Sequence, residues 1–137
     1  RMYDGGTTLE DAANAIHASA TISMQEFCTE KTLALIEGKG QEVIAFNHPL
    51  GVEATDRFLM EASRLTGKAI PPAIAKERGR LVDAIADSGA HIHGKQFALY
   101  GDPDLTLGLA GFLLELGAEP VHILSTNGGK VWREKAE

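Results

Sequence analysis

Apolar and polar positions alternate along the chain in runs of two periods, one helical and one extended. Thr7 and Thr8 precede good helix formers from Leu9 to Ala18. Thr8 with Asp11 three residues on makes a capping box in which Asp replaces the usual Glu. β-Branched residues then cluster in Ala20–Met24, the mark of a short strand. Gln25–Glu37 turns helical, with Phe27, Thr32, Leu33, Leu35 and Ile36 apolar or nearly so, and Gly38 stands where a C′ glycine belongs. Val43–Phe46 is a second short strand, expected to be buried. Strand, helix and strand within about 30 residues suit a parallel βαβ crossover.

The second half repeats the scheme. Asn47–Val52 reads as a loop, since Pro49 disfavours helix at His48. Glu53–Thr66 is a helix with Ala54, Phe58, Leu59, Ala62 and Leu65 on one face, closed by Gly67. Pro71–Pro72 opens a long helix whose expected buried stripe is Ile74, Leu81, Val82, Ile85 and Ile92. Lys95–Tyr100 is a strand, and Gly101-Asp102-Pro103-Asp104 is a turn in which Asp102 caps the next helix and Pro103 takes its first position. That helix, Leu105–Leu116, is apolar almost all round and expected to be deeply buried. Gly117 ends it and Pro120–Leu124 follows as another strand expected to be buried. The pattern predicts an α/β fold of Rossmann-like βαβ units with parallel sheet and helices on both faces, incomplete at the C-terminal end. Residues 1–70 would close one Rossmann-like region, 71–94 form a connecting helix, and 95–137 open a second βαβ unit.

Candidate chemistry is sparse. The Gly101–Asp104 turn sits where open α/β sheets take ligands, beyond the carboxyl end of a strand. It lacks the glycine spacing that cradles a pyrophosphate, and two carboxylates repel one. A capped helix start is the first reading, a cation or partner contact the second. Asp83, Asp87 and His91 recur every four residues along the long helix, as a metal-binding face or a solvated one. Glu77-Arg78-Gly79-Arg80 places a glycine in mid-helix, where close packing against another element is expected. Its arginines suit a forked ion pair at an interface or a surface ladder equally. Cys28, inside the expected Gln25–Glu37 helix, reads as a small buried hydrophobe. Asn127-Gly128-Gly129-Lys130 lacks Walker spacing and reads as a turn.

Composition narrows the picture further. Of 137 residues 44% are apolar and 23% charged, a globular composition of one-domain length. A net charge of −6, from 13 basic and 19 acidic residues, argues against a nucleic-acid surface. No run approaches the roughly 18 apolar residues of a membrane span, and Asp4, Glu10 and Asp11 precede any apolar stretch, unlike a signal peptide. A single cysteine can neither staple the chain nor by itself hold an iron–sulfur cluster. The cytoplasm is the default location. Arg1 is not an initiator Met, and Val131–Glu137 reads as a helix just begun, so an excised segment is expected.

The strings Arg1–Thr8 (RMYDGGTT), Asn47–Lys68, Glu77–Ser88, Gly101–Leu109 (GDPDLTLGL) and Phe112–Gly128 carry a family resemblance. Across essentially the whole chain the sequence resembles the nitrogenase molybdenum–iron protein β chains, in the version found in nitrogen-fixing rhizobia. The resemblance implies a longer parent chain of Rossmann-like domains in an assembly of two α and two β chains, with an iron protein docking to deliver electrons with ATP hydrolysis. It implies an [8Fe-7S] P-cluster at the α–β boundary and an iron–molybdenum cofactor within α, where dinitrogen becomes ammonia. It also implies that the P-cluster cysteines of β lie before the Arg1–Thr8 string. No catalytic, cofactor-binding or metal residue is therefore carried over to this segment, Cys28 included. The α chain's corresponding turn resembles Gly-Gly-Leu-Arg-Pro-Arg against its cofactor; an acidic turn here would not stabilise an anionic cluster. The rival within the family is the paralogous scaffold on which the cofactor is built, where the turn more often resembles Glu-Pro-Asp after alanines. The rival outside it is a non-catalytic interaction domain. The segment reads as structural scaffold, inactive alone, with an apolar sheet edge near Phe97–Tyr100 and Val121–Leu124 through which it would self-associate.

Overall fold

The computed structural model describes residues 6–137; the opening residues of the Arg1–Thr8 string, Asp4 among them, lie outside the described residues. The capping box forms: Asp11 N–H donates to Thr8 Oγ1 at 3.1 Å and the Thr8 hydroxyl and N–H donate to Asp11 Oδ2 at 2.9 and 3.2 Å. The helix it starts, α1 (Leu9–Ala13), is shorter than expected, because it tightens into a 3₁₀ turn at Asn14–His17. Strands β1 (Ala20–Ser23) and β2 (Glu42–Ala45) then pair in parallel, with Ile22 opposite Ile44.

Helix α2 begins later than expected, at Glu30, and runs to Gly38. Among the five residues before it, Glu26, Phe27 and Cys28 are held by partners far along the chain. The left-handed residue after α2 is Gly40 at φ +87, not Gly38, which is the last helical residue. Helix α3 (Gly51–Thr66) starts two residues early and ends at Gly67, whose φ of +65 is the expected left-handed C-cap.

Helix α4 (Pro72–Gly89) has Pro72 in its first turn. Its apolar stripe is not buried: Leu81 and Val82 are each 40% exposed and no residue of the helix is fully covered. Nothing lies within 4 Å of a Cβ built on Gly79, so the expected close packing there does not occur. The start of the stripe faces α3, where Ile74 and Leu81 border a cleft with Val52 and Leu59, while Ile85 lies near Leu114 and Leu116 and Ile92 packs on the buried cluster around Leu113.

Strands β3 (Gln96–Gly101) and β4 (Glu119–Ser125) form a second parallel pair, with Tyr100 opposite Leu124, crossed over by α5 (Pro103–Glu115). Here the core sits. Leu99, Ala110, Leu113 and Ala118 are buried together, flanked by Ile92, Phe97, Leu109 and Ile123. Helix α5 is less enclosed than expected, because Leu105 and Leu114 on its outer side are 42% and 61% exposed. A last helix, α6 (Lys130–Ala136), buries Trp132. The architecture is α/β with two parallel βαβ units.

Candidate functional site

The chemistry that the chain brings together gathers where β3 passes into α5. Asp102 is the N-cap: its Oδ1 accepts from Asp104 N–H at 3.0 Å and Leu105 N–H at 3.2 Å. Pro103, at the first helical position, has no N–H to satisfy, and the dipole of α5 favours the two carboxylates at this end. The buried Thr106 hydroxyl closes the turn by donating to the Asp102 carbonyl at 2.9 Å.

Asp104 is fully buried, at 0% exposure. A buried carboxylate is tolerated only when its lone pairs are filled. Here the donors come from the other βαβ unit. Phe27 N–H donates to Oδ1 at 3.0 Å and Oδ2 at 3.1 Å, Cys28 N–H to Oδ2 at 3.1 Å, and Asn47 Nδ2 to Oδ1 at 3.0 Å. The cap expected at this turn is therefore present, and it is also a seam between the two units.

Cys28 is not the buried helical hydrophobe its neighbours in sequence suggest. It lies in a turn, exposed, and its thiol donates to Asp102 Oδ2 at 2.9 Å. The Asp102 carboxylate, through that hydrogen bond first and its charge besides, pushes the thiol up to about 12. In return the Asp102 carboxyl is held below the ordinary value, chiefly by the same hydrogen bond and then by the capping amides, against the cost of its desolvation.

Ligand atoms of Cys28, Asp102 and Asp104 all lie within 4.8 Å of one another, the one such trio among the described residues. Spacing alone would admit a cation. The Cys28 thiol, however, is turned to Asp102 Oδ2 as a hydrogen-bond donor at 2.9 Å. Asp104 already accepts from three groups. What the arrangement does chemically is join the units by hydrogen bonds.

The other candidates disperse. Asp83 and Asp87 are exposed on α4, while His91 falls beyond the helix end in the following turn, so the three do not form a continuous helical row. Arg78 makes a forked contact to Asp56 on α3, with Nε at 2.9 and 2.8 Å from the two carboxylate oxygens, and Arg80 pairs with Glu77 one turn away at 2.7 Å. The Arg80 pair is of the surface-ladder type, and the forked Arg78 contact joins two successive helices. The Asn127–Lys130 stretch is a turn leading into α6, and Gly128 has the Trp132 ring 2.6 Å from where a Cβ would stand.

Several functional contacts have no local signal in the sequence. Glu115 at the far end of α5 accepts from Val52 N–H at 3.0 Å and Glu53 N–H at 3.3 Å, and so caps α3 from outside. Trp132 Nε1 donates to the Pro103 carbonyl at 2.8 Å, and Lys135 reaches Glu26 at 2.6 Å while lying 5.3 Å over the Phe27 ring. An acid at each end of an apolar helix is the one visible hint.

Two parallel strand pairs, the second crossed over by a helix that is capped through its Asp102 and tied to its neighbours through Asp104 and Glu115, define the class as α/β with βαβ units. The chain belongs to the nitrogenase component 1 type oxidoreductases, whose family model matches residues 1–137. It is 69% identical over 137 residues to the nitrogenase molybdenum-iron protein beta chain of Bradyrhizobium diazoefficiens, covering 100% of this chain and 26% of that protein. The beta chain of Azotobacter vinelandii is 50% identical over 138 residues, again with 100% and 26% covered. Among solved structures, "Nitrogenase Cp1 at pH 6.5" superposes with a TM-score of 0.86 at 34% identity, covering 98% of this chain and 30% of that one. The chain thus spans about a quarter of the length of the relatives it matches.

Proposed function

We propose that these residues belong to the β subunit of a nitrogenase molybdenum–iron protein, which with its α subunit reduces dinitrogen to ammonia on electrons from an iron protein, and that this stretch of it is framework. The observation that carries the reading is the 69% identity to a β chain over every residue of the sequence. Residues 1–70, 71–94 and 95–137 would be the end of one Rossmann-like region, a connecting helix and the start of the next. Two separate parallel strand pairs on either side of the exposed α4 support that division.

The family's clusters do not fit the residues present. Cys28 is the chain's one cysteine, and its thiol hydrogen is committed to Asp102. No step of the reduction is assigned to this stretch; its residues position backbone and seal the seam. The site of work is the cytoplasm, and no helix among the described residues is long and apolar enough to cross a membrane.

The test is a metal analysis beside a sizing run on the 137-residue polypeptide. Colourless protein without reductase activity is the expected result, and stoichiometric iron or a visible charge-transfer band would overturn the framework reading. Tyr100, Leu124 and Val121 leave 76%, 59% and 46% of their surface uncovered on the β3–β4 pair, which supports self-association through that sheet. A strictly monomeric species at high concentration counts against this. Sequence upstream of Arg1 separates β chain from cofactor-assembly scaffold: P-cluster cysteines are expected there, and their lack would favour the paralogue.

A further inference from the structure

Residues 25–29 are neither helix nor strand; they run from the Gln25–Asn47 bridge to the N-cap of α2 at Thr29. We infer that they form a strap which lifts locally from the carboxyl end of β3, with the Asp104 carboxylate as its clasp. This goes beyond the assignment to a β subunit and does not depend on it.

Three features carry the inference. First, beyond the Gln25–Asn47 bridge at its start, the strap's long-range ties are mostly polar and run to residues from Asp102 onward. Phe27 and Cys28 donate their N–H groups to Asp104, Cys28 its thiol to Asp102, and Glu26 pairs with Lys135. Second, no residue of the strap is fully buried: Gln25 and Cys28 are exposed, and Glu26, Phe27 and Thr29 are half-buried. Segments with few buried apolar contacts and mostly polar ties open at lower free energy than the core they lie on. Third, the receiving side is rigid. Asp104 is fully buried on the first turn of α5, next to Pro103, itself held by Trp132.

Lifting the strap therefore changes the crevice and leaves the core in place. The carboxylate keeps only Asn47 Nδ2 from the first unit, and water must supply the lost donors. Open α/β sheets take ligands at this place, beyond the strand ends. Here the chain's own amides occupy it, and the strap sets whether the Asp104 carboxylate is covered or reached by solvent.

Amide hydrogen exchange on the full chain, read peptide by peptide, tests this. Phe27 and Cys28 amides are expected to exchange faster than those of Leu99 and Leu113, yet slower than free peptide. Asp104→Asn keeps the shape of the side chain but turns one acceptor into a donor facing an N–H. It should speed exchange at Phe27 and Cys28 by about tenfold or more and leave Leu99 and Leu113 unchanged. Lys135→Met, at the surface, should speed strap exchange about two- to threefold with the core unchanged, and keeps the test alive if Asp104→Asn does not fold. The inference is overturned if strap amides exchange as slowly as Leu99 and Leu113, if both variants leave the strap unchanged, or if strap and core accelerate together.

Discussion

The two βαβ units share a topology and differ in what holds them. In β3–α5–β4 the residues Leu99, Ala110, Leu113 and Ala118 are all under 10% exposed and pack on one another. In β1–α2–β2 no residue of α2 is buried, and both strands are at best half-covered. Its well-buried side chains, Phe46 and Gln41, lie just outside β2. Phe46 meets Phe58 of α3 edge-on at 5.7 Å between centroids, and Gln41 donates to the Ala15 and Ala18 carbonyls. The second unit makes its own core. The first is fastened to it by Asp104, which accepts the Phe27 and Cys28 N–H groups, and α3 is fastened at the other end of α5 by Glu115, which accepts from Val52 and Glu53.

If that contrast holds, equal truncations cost unequal amounts. Leu113→Ala, in the buried cluster, should destabilise by about 2–5 kcal/mol, and Ile44→Ala, on the half-covered β2, by about 1 kcal/mol. Urea denaturation of the two variants beside the parent measures the difference; equal costs would break the comparison. Next in size is Gly51→Ala. Gly51 has φ +84, and a Cβ there would stand 2.0 Å from Glu115 Oε2 and 2.9 Å from the Phe112 ring. Both strain and loss of the Glu115 cap follow, about 2 kcal/mol together. A lowered melting temperature checks this, whereas an unchanged one would mean the seam yields freely. Smaller still are the α4 arginines. Arg78→Ala breaks a forked pair between helices and should cost about 0.5 kcal/mol, while Arg80→Ala, removing a one-turn pair well exposed on both sides, should fall within about 0.2 kcal/mol.

The sequence was informative wherever a few neighbouring residues decide the structure. Thr8 and Asp11 cap α1, Pro72 opens α4, Gly67 closes α3, and Asp102 with Pro103 starts α5, as their local chemistry dictates. It misled wherever a partner lies far along the chain. Local pattern extends a helix back to Gln25; Asp104, some 77 residues on, takes the Phe27 and Cys28 amides instead and leaves Cys28 in a turn. The stripe of α4 is amphipathic as expected, but amphipathicity states only which face can be buried, and Leu81 and Val82 are left 40% exposed among the described residues. Gly79 shows the same limit, since a glycine permits close approach without requiring it. No local pattern distinguishes a helix acid that caps its own helix, as Asp102 does, from one that caps another, as Glu115 does.

The Cys28–Asp102 contact gives the smallest effect on neutral stability and the cleanest reading of the seam, because it acts only outside the neutral range. In the unfolded chain the thiol loses its proton near its ordinary value of 9.0, while in the fold Asp102 holds that proton to about 12. Between those values the folded chain binds more protons than the unfolded one, so stability falls as pH rises across that window. The opposite limb comes from Asp102. Its carboxyl is held below the ordinary 3.8, so stability is present above that value and declines as pH drops through the folded value. Cys28→Ser retains a donor for Asp102 and removes the titration. The alkaline slope should then flatten while neutral stability changes little. In Asp102→Asn the anion that suppresses the thiolate is gone, and alkylation of Cys28 at pH 8.5 should quicken by about tenfold or more. Equal alkylation rates in parent and variant would show that the thiol does not engage Asp102 in solution, and would leave the clasp to Asp104 alone.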